Sequence, residues 1–225
     1  MATNLDEAVC SDDPSSIILS VETGSVPAAS YNITAINNPG MLVQSAGGTT
    51  TIGNGYSAAE IADDAFTNTV ADTFIEYTIA PVSADGCVGE EAIVSLTVLI
   101  DPLIVVVPEL NICDDAADGS DTNGFARFNL TDRTTDILGG QTNVYLAYFE
   151  DAALTIPITT PSDYYSDTTI IFVALTRNDV PQACSSVNMF DIIVRPKPVI
   201  LTAQASLVQC DTDIDGFSAF NLTEA

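Results

Sequence analysis

Short strand-like stretches recur along the chain, separated by clusters of turn-forming residues. Apolar and polar residues alternate at 31–36, and apolar runs bounded by turn residues follow at 74–79 and 92–98 in the first half and at 144–149 and 169–175 in the second. A period of two is typical of β-strands that bury one face. Many short strands with almost no helical pattern predict an all-β protein built from β-sandwiches.

Three further segments carry other patterns. The apolar runs at residues 16–21 and 103–107 are rich in β-branched residues and are predicted as strands. Residues 58–66 predict a short helix, because Ser57 and Glu60 have the spacing of a capping box.

A nine-residue sequence occurs twice, 92 residues apart. Gly-Phe-Ala-Arg-Phe-Asn-Leu-Thr-Asp at 124–132 returns as Gly-Phe-Ser-Ala-Phe-Asn-Leu-Thr-Glu at 216–224, and a Cys-Asp pair precedes each copy. Near-identity at domain-length spacing indicates a tandem array, and Pro102 and Pro198 mark its linkers. We therefore expect one module at residues 3–102, a second at 103–198, and the truncated start of a third at 199–225.

Composition narrows the function. The 225 residues include 31 acidic and 5 basic side chains, giving a net charge of −26, and there is no His and no Trp. Nucleic acids and anionic membrane surfaces require clustered Lys and Arg, so neither is an expected partner. A hydroxyl nucleophile would have no His to activate it, which argues against an enzyme. Apolar runs such as residues 103–107 are too short to span a membrane.

The cysteines are placed similarly in the two full modules. Cys10 and Cys87 lie near the start and end of the first module, and Cys113 and Cys184 near the start and end of the second. These positions predict the disulfides Cys10–Cys87 and Cys113–Cys184, with Cys210 unpaired. Five buried, reduced thiols are the alternative, because spacing alone cannot prove pairing. Disulfides would place the protein outside the cytoplasm.

The acidic loop after Cys210 suggests a cation site. Asp211, Asp213 and Asp215 alternate and are followed by Gly216, so one tight turn can direct several carboxylates inward. Calcium takes six to eight oxygen ligands, which makes it the predicted cofactor. Leu222 stands where an EF-hand would have a bidentate Glu. Further ligands must therefore come from elsewhere.

The second module has a longer version of this loop. Its predicted calcium ligands are Asp114, Asp115, Asp118, Asp121 and Asn123. The Asp121-x-Asn123-Gly portion aligns with Asp213-x-Asp215-Gly, with five residues inserted before it. For both loops the alternative is a solvated turn in which the acidic side chains only accept hydrogen bonds from the backbone.

These motifs resemble a known family. Cys-Asp-x-Asp-x-Asp-Gly-Phe-x-x-Phe-Asn-Leu-Thr, beginning at Cys210, resembles the repeat of very large SprB-like gliding-motility surface adhesins of Bacteroidetes. The second module shares this resemblance at residues 144–152, 170–175 and 194–198. The first module is similar to the PKD-like domains of the same proteins at residues 75–81, 85–89 and 98–102.

The resemblance implies a non-catalytic cell-surface array of tandem immunoglobulin-like or PKD-like β-sandwich domains. Such proteins are exported by the type IX system and are associated with the outer membrane through the full-length chain. Expected partners are neighbouring repeats, an external surface or polysaccharide, and the gliding machinery. We expect disulfides to lock each module and calcium to stiffen the junctions.

A carbohydrate-binding or accessory module of a polysaccharide-processing protein is the alternative function. It would need an exposed aromatic platform, for which the candidates are Tyr145, Tyr148, Tyr164 and Tyr165. Packing in the core or along the strands is the simpler interpretation of these tyrosines.

Overall fold

The computed structural model describes residues 5–47, 50–198 and 208–220. About 40% of the chain is β-strand and 4% is helix, which confirms the predicted all-β class. The first domain has seven described strands: β1 (Glu7–Cys10), β2 (Ala28–Asn37), β3 (Val43–Ala46), β4 (Gly53–Tyr56), β5 (Ala65–Thr67), β6 (Thr73–Ser83) and β7 (Ala92–Leu99).

The second domain combines strands with two short helical turns. Its elements are β8 (Leu110–Cys113), β9 (Ala126–Phe128), a 3-10 helix (Leu130–Arg133), α1 (Thr134–Leu138), β10 (Val144–Phe149), β11 (Tyr164–Ser166), β12 (Thr169–Arg177) and β13 (Ser185–Arg195). No helix in the described part of the chain is long and apolar enough to cross a membrane.

The larger sheets of the two domains share four strands in the same order, and the first domain adds β4. The larger sheet of the first domain has the order β1-β7-β6-β2-β4, and that of the second has the order β8-β13-β12-β10. In both, the short first strand pairs parallel with the last strand, while the other neighbours are antiparallel. A two-stranded sheet completes each domain, β3 with β5 and β9 with β11. Each domain is thus a two-layer sandwich.

Each sandwich has its own core. In the first, Tyr77 of β6 packs with Ile61 and Phe66, and in the second Val173 of β12 packs with Phe128 and Ile137. Alternate residues of the central strands are buried, as the period-two pattern predicts. No described residue belongs to both cores.

Three predicted elements differ from the structure. Residues 58–63 form successive turns with i to i+3 hydrogen bonds instead of a helix, such as Ala62 N to Ala59 O at 3.1 Å, and Ala65 and Phe66 already belong to β5. Residues 16–21 and 103–107 form no strand. Ile17 and Leu19 are nevertheless buried in the first core, because an apolar run can fill a core without pairing. The predicted third repeat at 199–225 is described only over 208–220, where it forms no strand.

Candidate functional site: a cross-linked domain junction

Four cysteines occupy two kinds of position in the fold. Cys10 ends β1 and pairs in register with Leu99, while Cys113 ends β8 and pairs with Arg195. Cys87 and Cys184 lie in the hairpin before the last strand of their domains. The carbonyl of each accepts a 2.9 Å hydrogen bond from the last residue of the preceding strand, Ser83 or Arg177. We call these the strand-end and hairpin positions.

A disulfide joins the two domains. The strand-end Cys10 of the first domain bonds to the hairpin Cys184 of the second, with an S–S distance of 2.09 Å and a Cα–Cα distance of 5.3 Å. Cys87, Cys113 and Cys210 are free and exposed. The predicted pairs Cys10–Cys87 and Cys113–Cys184 are therefore wrong.

The geometry of the sandwich explains this correction. Cys10 lies beside the end of β7 at Leu99, whereas Cys87 precedes its start at Ala92. At about 3.3 Å per residue, the length of this strand separates them by about 23 Å. The 11-residue β13 separates Cys113 from Cys184 by more. A disulfide requires Cα atoms within about 7 Å, so neither intradomain bond can form.

The cross-link spans 174 residues of sequence. In the chain-entropy model a loop of this length contributes about 5 kcal/mol of stability. It also gives the domains a second covalent connection besides the linker. Rotation of one domain about the linker is therefore restricted.

An ion-pair cluster reinforces the junction. Arg177 of the second domain donates to both carboxylate oxygens of Asp72 in the first, at 2.7 and 3.0 Å, and to the carbonyl of Ile100 at 3.3 Å. It also donates to Asp179 at 2.9 and 3.0 Å. These hydrogen bonds, first those to Asp179 and then those to Asp72, raise the pKa of Arg177. Hydrogen bonding from Arg177 lowers the pKa of Asp72.

The linker itself is fastened to the second domain. Gln141 accepts from Leu103 N at 2.7 Å and donates to Leu103 O at 3.0 Å. Ser186 donates to Pro102 O at 2.8 Å, and Asn188 donates to Val105 O. These contacts fix the segment that enters the second domain beside β13, next to the disulfide.

A carboxylate oxygen of Asp101 lies within 4.8 Å of both disulfide sulfurs, those of Cys10 and Cys184. Burial raises its pKa, and the charges of Asp13 and Asp12 raise it further. The sulfurs are bonded to each other, so this trio is not a metal site. The junction thus concentrates carboxylates around Arg177.

The acidic loop of the second domain spreads its side chains among different donors. Asp115 accepts from Ala117 N and Arg127 N, both at 2.8 Å, and Asp121 pairs with Lys197 at 3.1 Å. Asp118 accepts from Ser120 N at 3.0 Å, from Asn123 Nδ2, and from Tyr165 Oη at 2.6 Å. Among the described residues, no three acidic side chains gather here within ligand distance of one another.

Asp114 is the exception in this loop. It is buried, and its Oδ2 accepts a 2.6 Å hydrogen bond from Gly124 N, while its Oδ1 has no hydrogen-bond partner among the described residues. A buried carboxylate oxygen without a donor is unfavourable unless a cation or water satisfies it.

The loop after Cys210 does bring its carboxylates together. Oxygens of Asp211, Asp213 and Asp215 lie within 4.8 Å of one another and are exposed. Asp211 Oδ2 accepts from Gly216 N at 2.7 Å, the same bond that Asp114 makes with Gly124. Hydrogen bonding, first from Gly216 N, lowers the pKa of Asp211. Three convergent carboxylate oxygens fit the donor set of a hard cation such as calcium.

The candidate platform tyrosines have other roles. Tyr148 is buried and Tyr164 is half-buried. Tyr165 stacks on Phe125, with ring centroids 5.5 Å apart, and its hydroxyl holds Asp118. Tyr145 is exposed on β10. Tyr165 therefore braces the acidic loop.

Sequence reasoning missed the pairing of Arg177 with Asp72. Arg177 is one of only five basic residues in a chain of net charge −26, and this scarcity is the available signal that it has a specific partner. The partner itself carries no local signal, because Asp72 lies 105 residues away.

Comparison with known proteins supports this view of the junction. Residues 109–198, less than half of the chain, match a family described as the Flavobacterium inter-domain disulphide bond domain. No curated protein matches the chain. The matched domain and the Cys10–Cys184 bond fit a multidomain extracellular protein and are consistent with a surface protein of Flavobacterium.

Two solved structures were also compared. A Drosophila N-cadherin EC1-3 fragment is 11% identical over 84% of this chain, with a TM-score of 0.23. The match covers 64% of the cadherin chain, so this chain spans less than two thirds of it. SporoSAG from Toxoplasma gondii is 7% identical, with coverages of 86% and 98% and a TM-score of 0.23. Likenesses this distant carry no argument about function.

Proposed function

We propose that this chain is a non-catalytic segment of a large cell-surface adhesin, in which it forms part of a stiff multidomain stalk. The observation that carries this proposal is the Cys10–Cys184 disulfide, which connects two successive sandwiches instead of locking each one internally. A stalk that transmits force between a surface and the cell needs domains that do not pivot. The disulfide and the Arg177–Asp72 pair supply that restraint.

The setting follows from the family resemblance and remains part of the proposal. The parent protein would be exported by the type IX system, held at the outer membrane and moved by the gliding machinery. Its external partner would be a surface or polysaccharide. The net charge of −26 supports an extended arrangement, because like charges on successive modules repel.

Calcium is proposed as a second stiffening element. The convergent carboxylates of Asp211, Asp213 and Asp215 would hold it, and the buried Asp114 is the corresponding residue of the second domain. The cation would neutralise charge and fasten the loop that begins a module. Thermal melts in EDTA, calcium and magnesium test this. Saturation at 100 times the dissociation constant should add about 2.7 kcal/mol to the domain that binds.

Distance measurement by electron paramagnetic resonance tests the stalk. Spin labels are introduced as noncanonical amino acids at the exposed Ile93 and Tyr145, one in each domain, with Cys87, Cys113 and Cys210 replaced by Ser. We expect a narrow distance distribution that broadens in a Cys10→Ser, Cys184→Ser control. An equally broad distribution in both proteins would contradict a stiff junction.

A further inference from the structure

The two free cysteines Cys113 and Cys87 occupy the same positions as the bonded pair Cys10 and Cys184. Cys113 ends β8 beside Arg195 as Cys10 ends β1 beside Leu99. The backbone carbonyl of Cys87 accepts a hydrogen bond from Ser83 N, just as the carbonyl of Cys184 accepts one from Arg177 N, and both bonds are 2.9 Å long. The first domain therefore has a free hairpin thiol, Cys87, and the second domain has a free strand-end thiol, Cys113.

We propose that Cys113 and Cys87 form the same directional disulfide with neighbouring sandwich modules, strand-end cysteine of one module to hairpin cysteine of the next. Cys113 would bond to the hairpin cysteine of a following module, and Cys87 to the strand-end cysteine of a preceding one. The proposal rests on the stalk function and specifies its covalent partner. The repeated module would then be cross-linked to both of its neighbours.

The surface beside Cys87 supports this assignment independently. In the second domain, the linker covers the start of β13 through the contacts of Ser186 and Asn188. Strand register places Glu90 and Ala92 at the corresponding positions of the first domain. There they line an open groove of about 780 Å³ that also includes Cys87, Val26 and Val88 among the described residues. Val26 and Val88 are exposed, as expected for a surface that another segment covers.

The bond requires an oxidant, for which a small-molecule disulfide such as oxidised glutathione is sufficient. Cys113 first exchanges with it to give a mixed disulfide and one glutathione thiol. The Cys87 thiolate then attacks the Cys113 sulfur and releases the second glutathione as leaving group. Two protein thiols are thereby oxidised, and one glutathione disulfide is reduced.

The test uses two variants of the whole chain and a second copy as the neighbouring module. One variant, Cys87→Ser with Cys210→Ser, keeps only the Cys113 thiol. The other, Cys113→Ser with Cys210→Ser, keeps only the Cys87 thiol. Both retain Cys10 and Cys184. Each variant alone and an equal mixture are equilibrated in a glutathione redox buffer, and the products are separated without reduction.

We expect the Cys113–Cys87 dimer to exceed the sum of the two symmetric dimers several-fold in the mixture. A statistical mixture, or an excess of symmetric dimers, would overturn the proposal. Mapping Cys10–Cys184 in the same samples separates the two claims. If that bond is present and selectivity is absent, the further inference fails while the proposed stalk stands; if that bond is absent, the proposed stalk fails.

Discussion

Asp64 is a fully buried carboxylate in the first domain. It accepts hydrogen bonds from Gln44 Nε2 at 2.7 Å, from Thr50 at 2.7 and 2.8 Å, and from Tyr77 Oη at 2.7 Å. Burial raises the pKa of Asp64, although these donors partly oppose that rise. Burial, followed by the bond to Asp64, also raises the pKa of Tyr77. This network ties β6 to the loop before β5.

Replacing Asp64 by Asn should destabilise the first domain by about 1–3 kcal/mol, because the new amide group would face donors that need an acceptor. Chemical denaturation measures the effect. The neighbouring Asp63→Asn is the matched control, since Asp63 is exposed and should change stability by less than about 0.5 kcal/mol. Equal effects of the two substitutions would contradict a role for the network.

The raised pKa of Asp64 also sets a pH dependence. A carboxyl whose folded pKa exceeds its unfolded value of about 3.9 stabilises the fold fully below that value. This contribution is lost as pH rises through the folded-state pKa. The destabilisation caused by Asp64→Asn should therefore shrink as pH rises through that window. A destabilisation that grows over the same range would contradict the assigned direction.

At the scale of elements, helix α1 is fitted against the linker. It ends at Gly139, whose left-handed φ of 56° accommodates the N–H bond to Thr135 O at 3.1 Å. A Cβ at Gly139 would lie 2.9 Å from Val105 Cγ1 of the linker. Gly140 also has a positive φ but faces open space. The glycine pair lets the helix stop where the linker passes.

Gly139→Ala should destabilise the second domain more than Gly140→Ala does. Both substitutions strain a left-handed backbone by about 1–2 kcal/mol, and only the first also displaces Val105. Thermal denaturation of both variants measures the difference. Equal melting temperatures of the two variants would show that Val105 moves aside without a measurable loss of stability.

The sequence predicts the central strands where apolar and polar residues alternate, as at Ile75, Glu76 and Tyr77 in β6, and the structure buries the apolar members. The strand prediction fails where an apolar segment is buried without pairing with another strand, as at Ile17 and Leu19, which lie in the core but belong to no sheet. The acidic loop after Cys210 is local, so its convergence could be predicted, as could its glycine turn. The cysteine pairing could not, because the four-residue strand β1 has no marked pattern and its parallel partner lies 89 residues later.

At the scale of the whole molecule, the domain junction combines one covalent bond with one ion-pair cluster. Arg177 and Asp72 are both partly buried, so their pair is less screened than an exposed one. The lowered pKa of Asp72 means that its contribution is present above the unfolded pKa of about 3.9. That contribution is lost as pH falls through the folded-state value.

Arg177→Gln should loosen the junction once the disulfide is removed. In the Cys10→Ser, Cys184→Ser background we expect a broader interdomain distance distribution, since Gln cannot bridge Asp72 and Asp179 together. Arg127→Gln is the matched control, because Arg127 pairs with Asp163 inside the second domain. A change of equal size in the control would refute a specific role for Arg177.

Disulfide mapping distinguishes a bond between the domains from bonds within them. The oxidised protein is alkylated, digested without reduction by a protease that cleaves at acidic residues, and analysed by mass spectrometry. The structure predicts one linked peptide pair, containing Cys10 and Cys184, with alkylated Cys87, Cys113 and Cys210. Linked peptides joining Cys10 to Cys87 and Cys113 to Cys184 would contradict it, because each domain would then be closed on itself and the junction left to the linker.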